Sequence, residues 1–188
     1  MQRKELRIVY RRGTEEFAEA LQQRLDGTVG LDSALWTEKD YLDCRRSMPE
    51  DAYVLFLGDG AAMQQEGMPC TPRFAQYGMA YGWSGRRAFL TATERPLNGK
   101  KKIRAFLEYL QQQHPEITPE ELETVAAENA LAWADSLKAS VNPLASVLDS
   151  MFRAPVSSAG TITALGRLQY KAAVAEFYRS GIADFLDE

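Results

Sequence analysis

Leu6-Arg7-Ile8-Val9-Tyr10, followed by Arg11-Arg12-Gly13-Thr14-Glu15-Glu16 and then Phe17, Ala18, Leu21 and Leu25, is the stretch on which the fold turns. The first five residues are short, apolar and partly β-branched, which predicts a strand. Thr14 with two glutamates after it predicts a helix start, and the apolar spacing predicts a helix that ends at Asp26-Gly27. A strand that feeds a helix through a four-residue loop is the opening of a β-α-β unit.

The same alternation continues. A second short strand is expected at Ser33–Trp36, then a helix over 38–48 stopped by Pro49. Ala52-Tyr53-Val54-Leu55-Phe56-Leu57 is nearly continuous apolar sequence, the pattern of a strand buried on both faces. Gly58-Asp59-Gly60 ends it, and the polar residues 61–72 read as a functional loop. Residues 73–83 read as a helix, and Arg87–Ala92 as the fourth strand. Strand-helix-strand alternation predicts a small open parallel α/β sheet of about four strands in order 2-1-3-4.

Arg95-Pro96-Leu97-Asn98-Gly99 is turn chemistry and marks a boundary. Beyond it only helical patterns occur. Thr118-Pro119-Glu120-Glu121 reads as a capping box, Leu144 to Phe152 carries another apolar stripe, and a last helix is expected over 161–186. The expected organisation is an α/β domain at 1–94 with an all-helical extension at 95–188 packed on it.

Composition narrows the function. The chain has 188 residues, 45% hydrophobic and 26% charged, as ordinary globular proteins do. Two cysteines and one histidine exclude a disulfide framework, a four-thiolate zinc site and any paired-histidine centre. No metal site is expected. Net charge is −4, which argues against nucleic acid as a partner. The charge is uneven, with 8 basic and 3 acidic side chains in residues 61–114. That basic middle either attracts a phosphate-bearing ligand or faces the acidic last third. The run after Met1-Gln2-Arg3-Lys4-Glu5 is too short for a secretory h-region, and no stretch approaches a membrane span. A cytoplasmic protein without membrane contact is expected.

In open α/β sheets, ligands bind beyond the carboxyl ends of the strands. Arg11 and Arg12 lie there, before a helix N-terminus, and two guanidiniums with unpaired N–H groups suit a phosphate. The alternative is a solvated loop. Trp36, at the same end, and Tyr77, Tyr81 and Trp83 offer rings for stacking on a base or nicotinamide, or else core packing. Asp59 offers a carboxylate to a ribose hydroxyl, or serves only as a turn residue.

Tyr10-Arg11-Arg12, a short spacer, then Phe17-Ala18 and spaced leucines resemble the opening of bacterial TIR domains, with Val9 where that family has serine. Tyr53–Leu57 with Gly58 looks like the buried third strand of that family. Gln76-Tyr77-Gly78-Met79-Ala80 is similar to a Glu-x-Gly-x-Ala pattern in nucleoside deoxyribosyltransferases, which share a related fold. The resemblance covers residues 6–92. It implies a flavodoxin/TIR-like sheet that binds NAD or a related nucleotide as ligand or substrate, with no further cofactor, through Tyr10, Arg11, Arg12, Trp36, Asp59 and Tyr77.

The resemblance also implies an NAD glycohydrolase or nucleoside-ribosyl hydrolase or transferase in defence or signalling. The family's glutamate supports the oxocarbenium-like state, and here Gln76 matches it, leaving Glu66 as the nearby carboxylate. The alternative is a non-catalytic module of the same fold that assembles with copies of itself or a protein partner. A flavodoxin proper is disfavoured because the loop after the first strand lacks a run of hydroxyl residues.

Overall fold

A computed structural model describes residues 2–58, 60–67, 71–129 and 162–188. The chain divides into two compact units, residues 1–93 with 169–188, and residues 94–168.

The first unit is built on a six-stranded mixed sheet, β1 Lys4–Tyr10, β2 Leu31–Thr37, β3 Tyr53–Leu57, β4 Phe74–Gln76, β5 Met79–Ser84 and β6 Arg87–Ala92. Their order is β2-β1-β3-β6-β5-β4. The expected four-strand order 2-1-3-4 is therefore corrected. The four stretches read as strands are the parallel members β1, β2, β3 and β6, and β5 and β4 add an antiparallel hairpin beyond β6.

The helix expected over 73–83 is that hairpin. Phe74, Tyr77 and Tyr81 imitate helical spacing, but Met79, Tyr81 and Trp83 are the buried members of a period-two pattern. Tyr77 (φ 52) and Gly78 (φ 77) both have positive φ, as a two-residue type I′ turn requires. A Cβ on Gly78 would lie 2.0 Å from the Thr93 carbonyl oxygen, so this glycine is needed for space as well as for backbone angle.

Helices cover both faces of the parallel strands. On one lie α1 (Glu15–Leu25) and the later part of the C-terminal helices α6 (Ala164–Ser180) and α7 (Ile182–Leu186). Phe17 stacks on Tyr170 with ring centroids 5.2 Å apart, and Tyr53 meets Phe185 edge-on at 5.4 Å. Gly181 separates α6 from α7, where the sequence predicts one unbroken helix. On the other face lie α2 (Glu38–Cys44), continued by a 3-10 turn at Arg45–Ser47, and α3 (Ala61–Glu66). Val9, Val54 and Phe56 pack there against Tyr41 and Ala62. Residues 61–66, read as part of a loop, form α3. All five residues of β3 are buried, as its continuous apolar run predicts. Each such side chain contributes roughly 1.5–3 kcal/mol.

The second unit holds α4 (Lys100–Gln113) and α5, described over 119–129. The expected capping box is present. Thr118 N–H donates to Glu121 Oε2 at 3.0 Å, and Glu121 N–H to Thr118 Oγ1 at 3.3 Å. His114 closes α4, with its N–H on the Leu110 carbonyl at 2.8 Å and Nδ1 3.1 Å from Glu116. The stripe expected from Leu144 to Phe152 lies outside the described residues. Among the described residues no helix is long and apolar enough to cross a membrane.

Candidate functional site

The last fully paired row across the sheet's centre is Thr37, Tyr10, Leu57 and Leu90. One residue further, the carboxyl edge carries Glu38 after β2, Arg11 after β1 and Gly58 after β3. The chain passes from β1 outward to β2 and returns on the other side of β1 as β3, so the topological switch lies between β1 and β3. The loops after these two strands are tied together. Arg11 N–H donates to the Leu57 carbonyl at 3.1 Å, and Gly58 N–H to that of Leu90 at 2.8 Å. Gly58 has φ +98, and a Cβ on it would stand 3.0 Å from Arg11 Cβ and 3.6 Å from Arg11 Cδ. The arginine stem thus lies across the glycine.

Thr14 is the N-cap residue of α1, as expected, but its side chain makes no capping bond. It is buried, and its hydroxyl donates instead to the Arg11 carbonyl at 2.6 Å. The loop Arg11-Arg12-Gly13 is thereby folded onto β1, and both arginines are exposed. The Tyr10 phenol is raised above its ordinary pKa, first by burial and then by the charges of Glu15, Asp40 and Glu19.

The other expected site residues are dispersed. Trp36 is half-buried against the Val9–Phe56 cluster, with the Arg7 guanidinium 5.3 Å from its ring centroid, so its ring packs in the molecule. Glu66 ends α3, and its carboxylate accepts the Tyr41 hydroxyl. Burial first, then that bond and the Glu66 charge, push the Tyr41 phenol well up. Gln76 is exposed at the end of edge strand β4, and Tyr77 forms the adjoining turn at the carboxyl edge. Asp59 lies outside the described residues. The edge therefore brings together Tyr10, Arg11 and Arg12, places Gln76 on β4 and Tyr77 in the β4–β5 turn, both beyond β6, and leaves Glu66 in another contact.

Two residues at this edge are not singled out as site residues by the sequence, although the stretch from Trp36 to Asp40, which holds Glu38, is expected at the carboxyl ends of the strands. Gln169 of α6, fully buried, donates through Nε2 to the carbonyls of Tyr77 and Thr93, each at 2.9 Å. It pins the hairpin turn to the end of β6. The signal was a lone amide between the apolar residues Leu168 and Tyr170. Glu38 opens α2, where Thr37 and Asp40 form a capping box with bonds of 3.1 and 3.3 Å. A Cβ on Gly60 would lie 1.5 Å from Glu38 Oε1 and 3.2 Å from Oε2, so the carboxylate occupies the room that this glycine leaves. The signal was position, since Glu38 follows strand two at the offset at which Arg11 follows strand one.

Among the described residues no group of three or more histidine, cysteine, aspartate or glutamate side chains could hold a metal ion. Comparison of the chain with protein-family models, with curated proteins and with solved structures finds no match.

Proposed function

We propose that the chain is a TIR-like nucleotide-binding protein that takes NAD or a related phosphate-bearing nucleotide at the carboxyl edge above β1 and β3. The observation that carries this reading is the exposed Arg11-Arg12 pair, set at the topological switch immediately before α1. An anion there meets two guanidiniums and the N-terminal N–H groups of an eleven-residue helix. Binding is the primary activity in this reading. Cleavage of a glycosidic bond asks for a free carboxylate beside the anomeric carbon. Of the two residues that the resemblance offers for that role, Gln76 supplies an amide, and Glu66 is engaged by Tyr41.

Calorimetry with NAD and ADP-ribose tests the reading. Arg11→Ala or Arg12→Ala is expected to weaken binding about tenfold to a hundredfold, the loss of a charge-assisted hydrogen bond of roughly 1.5–3 kcal/mol. An absence of affinity for either nucleotide in the unmodified protein would overturn it. Nicotinamide release from NAD, followed by chromatography, tests the hydrolase role. Turnover abolished by Glu66→Ala would assign the carboxylate to Glu66.

The second reading, a module that assembles with copies of itself, is favoured by one feature. β2 is a seven-residue edge strand, and Val29 just before it is 90% exposed. Concentration-dependent sedimentation of a protein that binds neither nucleotide would support it.

A further inference from the structure

The geometry points to Glu38 as the residue that recognises the sugar of the bound nucleotide, accepting the vicinal hydroxyls of a ribose, so that the site selects ribonucleotides over 2′-deoxyribonucleotides. This inference rests on the nucleotide-binding reading above and adds a specificity to it.

Three observations carry it. The first is placement. Thr37 and Tyr10 are partners in the β1–β2 register, so the residues that follow them, Glu38 and Arg11, leave the sheet side by side. Neighbouring strands are about 4.8 Å apart, which sets the carboxylate and the guanidinium within the span of one nucleoside phosphate. The second is direction. Both carboxylate oxygens lie within 3.2 Å of where a Cβ on Gly60 would stand, and Gly60 follows β3, so the side chain reaches from the end of β2 to the segment that follows β3. The third is availability. Among the described residues the Glu38 carboxylate makes no hydrogen bond or ion pair, whereas Glu66 is taken by Tyr41 and Asp32 by Arg3 at 3.5 Å.

A carboxylate only accepts hydrogen bonds. Beside an anion-binding pair it repels a second phosphate and attracts a group that brings donors. Two adjacent hydroxyls on a phosphorylated sugar are such a group, because each can donate to one oxygen. In dinucleotide-binding sheets of different strand order, an acidic residue performs this task beside the phosphate loop, which shows that the distance is workable. The capping box of Thr37 and Asp40 fixes the backbone from which Glu38 projects.

The test is calorimetry on the full chain with ADP and 2′-deoxy-ADP, using the unmodified protein, Glu38→Gln, Gly60→Ala and Arg11→Ala. The unmodified protein is expected to prefer ADP by about tenfold or more, the discrimination that a hydroxyl-binding acceptor gives. Glu38→Gln should lose most of that preference and keep its affinity for 2′-deoxy-ADP. Gly60→Ala, whose methyl group displaces the carboxylate, should behave alike. Arg11→Ala should weaken both nucleotides by the same factor. Equal binding of the two nucleotides by the unmodified protein, or a preference that survives Glu38→Gln, would overturn the role of Glu38 and leave nucleotide binding intact. Failure of the unmodified protein to bind either would overturn the binding reading itself, and this inference with it.

Discussion

The parallel strands and the β4–β5 hairpin share one sheet but are held in it by different means. β1 and β3 are covered on both faces, and their register follows from many apolar side chains on either side. Losing one contact there leaves the others in place. The hairpin depends on few atoms. Tyr77 and Gly78 turn the chain, Thr93 N–H donates to the Gly78 carbonyl at 2.8 Å, and Gln169 bridges the carbonyls of Tyr77 and Thr93. Stability in the parallel half is distributed, and in the hairpin it is concentrated at the turn.

The largest expected effect follows from that concentration. Gly78→Ala places a methyl group 2.0 Å from a backbone oxygen and 2.7 Å from the Gln169 amide, at φ +77. Backbone strain and overpacking together should cost on the order of 3 kcal/mol or more. Gly85→Ala is the matched control in the β5–β6 turn. It has φ +58 but nothing within 4 Å of the added carbon, so only the backbone cost of about 1–2 kcal/mol applies. Urea unfolding of the two variants reads the difference directly. Equal losses would show that Gly78 is not held close to Thr93 and would break the contrast between the two halves.

The same contrast explains what was legible in the sequence. β3 announces itself because a strand buried on both faces has no polar positions to confuse it. β1 and β6 are read from apolar runs bounded by charge and turn residues. The hairpin is missed because its turn, Tyr77-Gly78, lacks the asparagine or aspartate that usually marks a type I′ turn. Its small residues Ala75, Ala80 and Gly82 weaken the alternation of Met79, Tyr81 and Trp83. α3 is missed because six residues of Ala61–Glu66 are too few to show a period. At the edge, Arg11 and Arg12 are found because charge after a buried strand is conspicuous. Glu38 is not, since one more acid at a helix start looks like dipole compensation. Only the register, which pairs Thr37 with Tyr10, sets it beside Arg11.

A smaller effect is expected within the parallel half. Tyr41 is buried, meets Phe56 edge-on at 5.1 Å between centroids, and donates its hydroxyl to Glu66. Tyr41→Phe keeps the ring and removes one hydrogen bond, a loss of about 1–2 kcal/mol near pH 8. The phenol's pKa is higher in the folded chain than in the unfolded one. Its contribution is therefore fully present below about pH 10, the unfolded value, and declines as pH rises toward the folded value. Urea unfolding of both proteins from pH 8 to 11 should show the gap narrowing above about pH 10. A gap that widened there would mean that Glu66 does not accept this hydroxyl.

The smallest expected change in stability lies at the carboxyl edge, where two glycines differ in backbone angle and in what an added carbon would meet. Gly58 has φ +98, with the arginine stem 3.0 Å from the position of an added carbon, so Gly58→Ala should cost roughly 1–3 kcal/mol. Gly60 has φ −115, which any residue adopts, and the three atoms nearest its added carbon all belong to the far end of the Glu38 side chain. A flexible carboxylate swings aside at little cost, so Gly60→Ala should leave the unfolding midpoint within about 0.5 kcal/mol of the parent. Its effect should fall on recognition of the sugar. A loss at Gly60 as large as that at Gly58 would show instead that Glu38 is locked in the packing. The carboxylate would then be part of the scaffold, unable to turn toward a ligand.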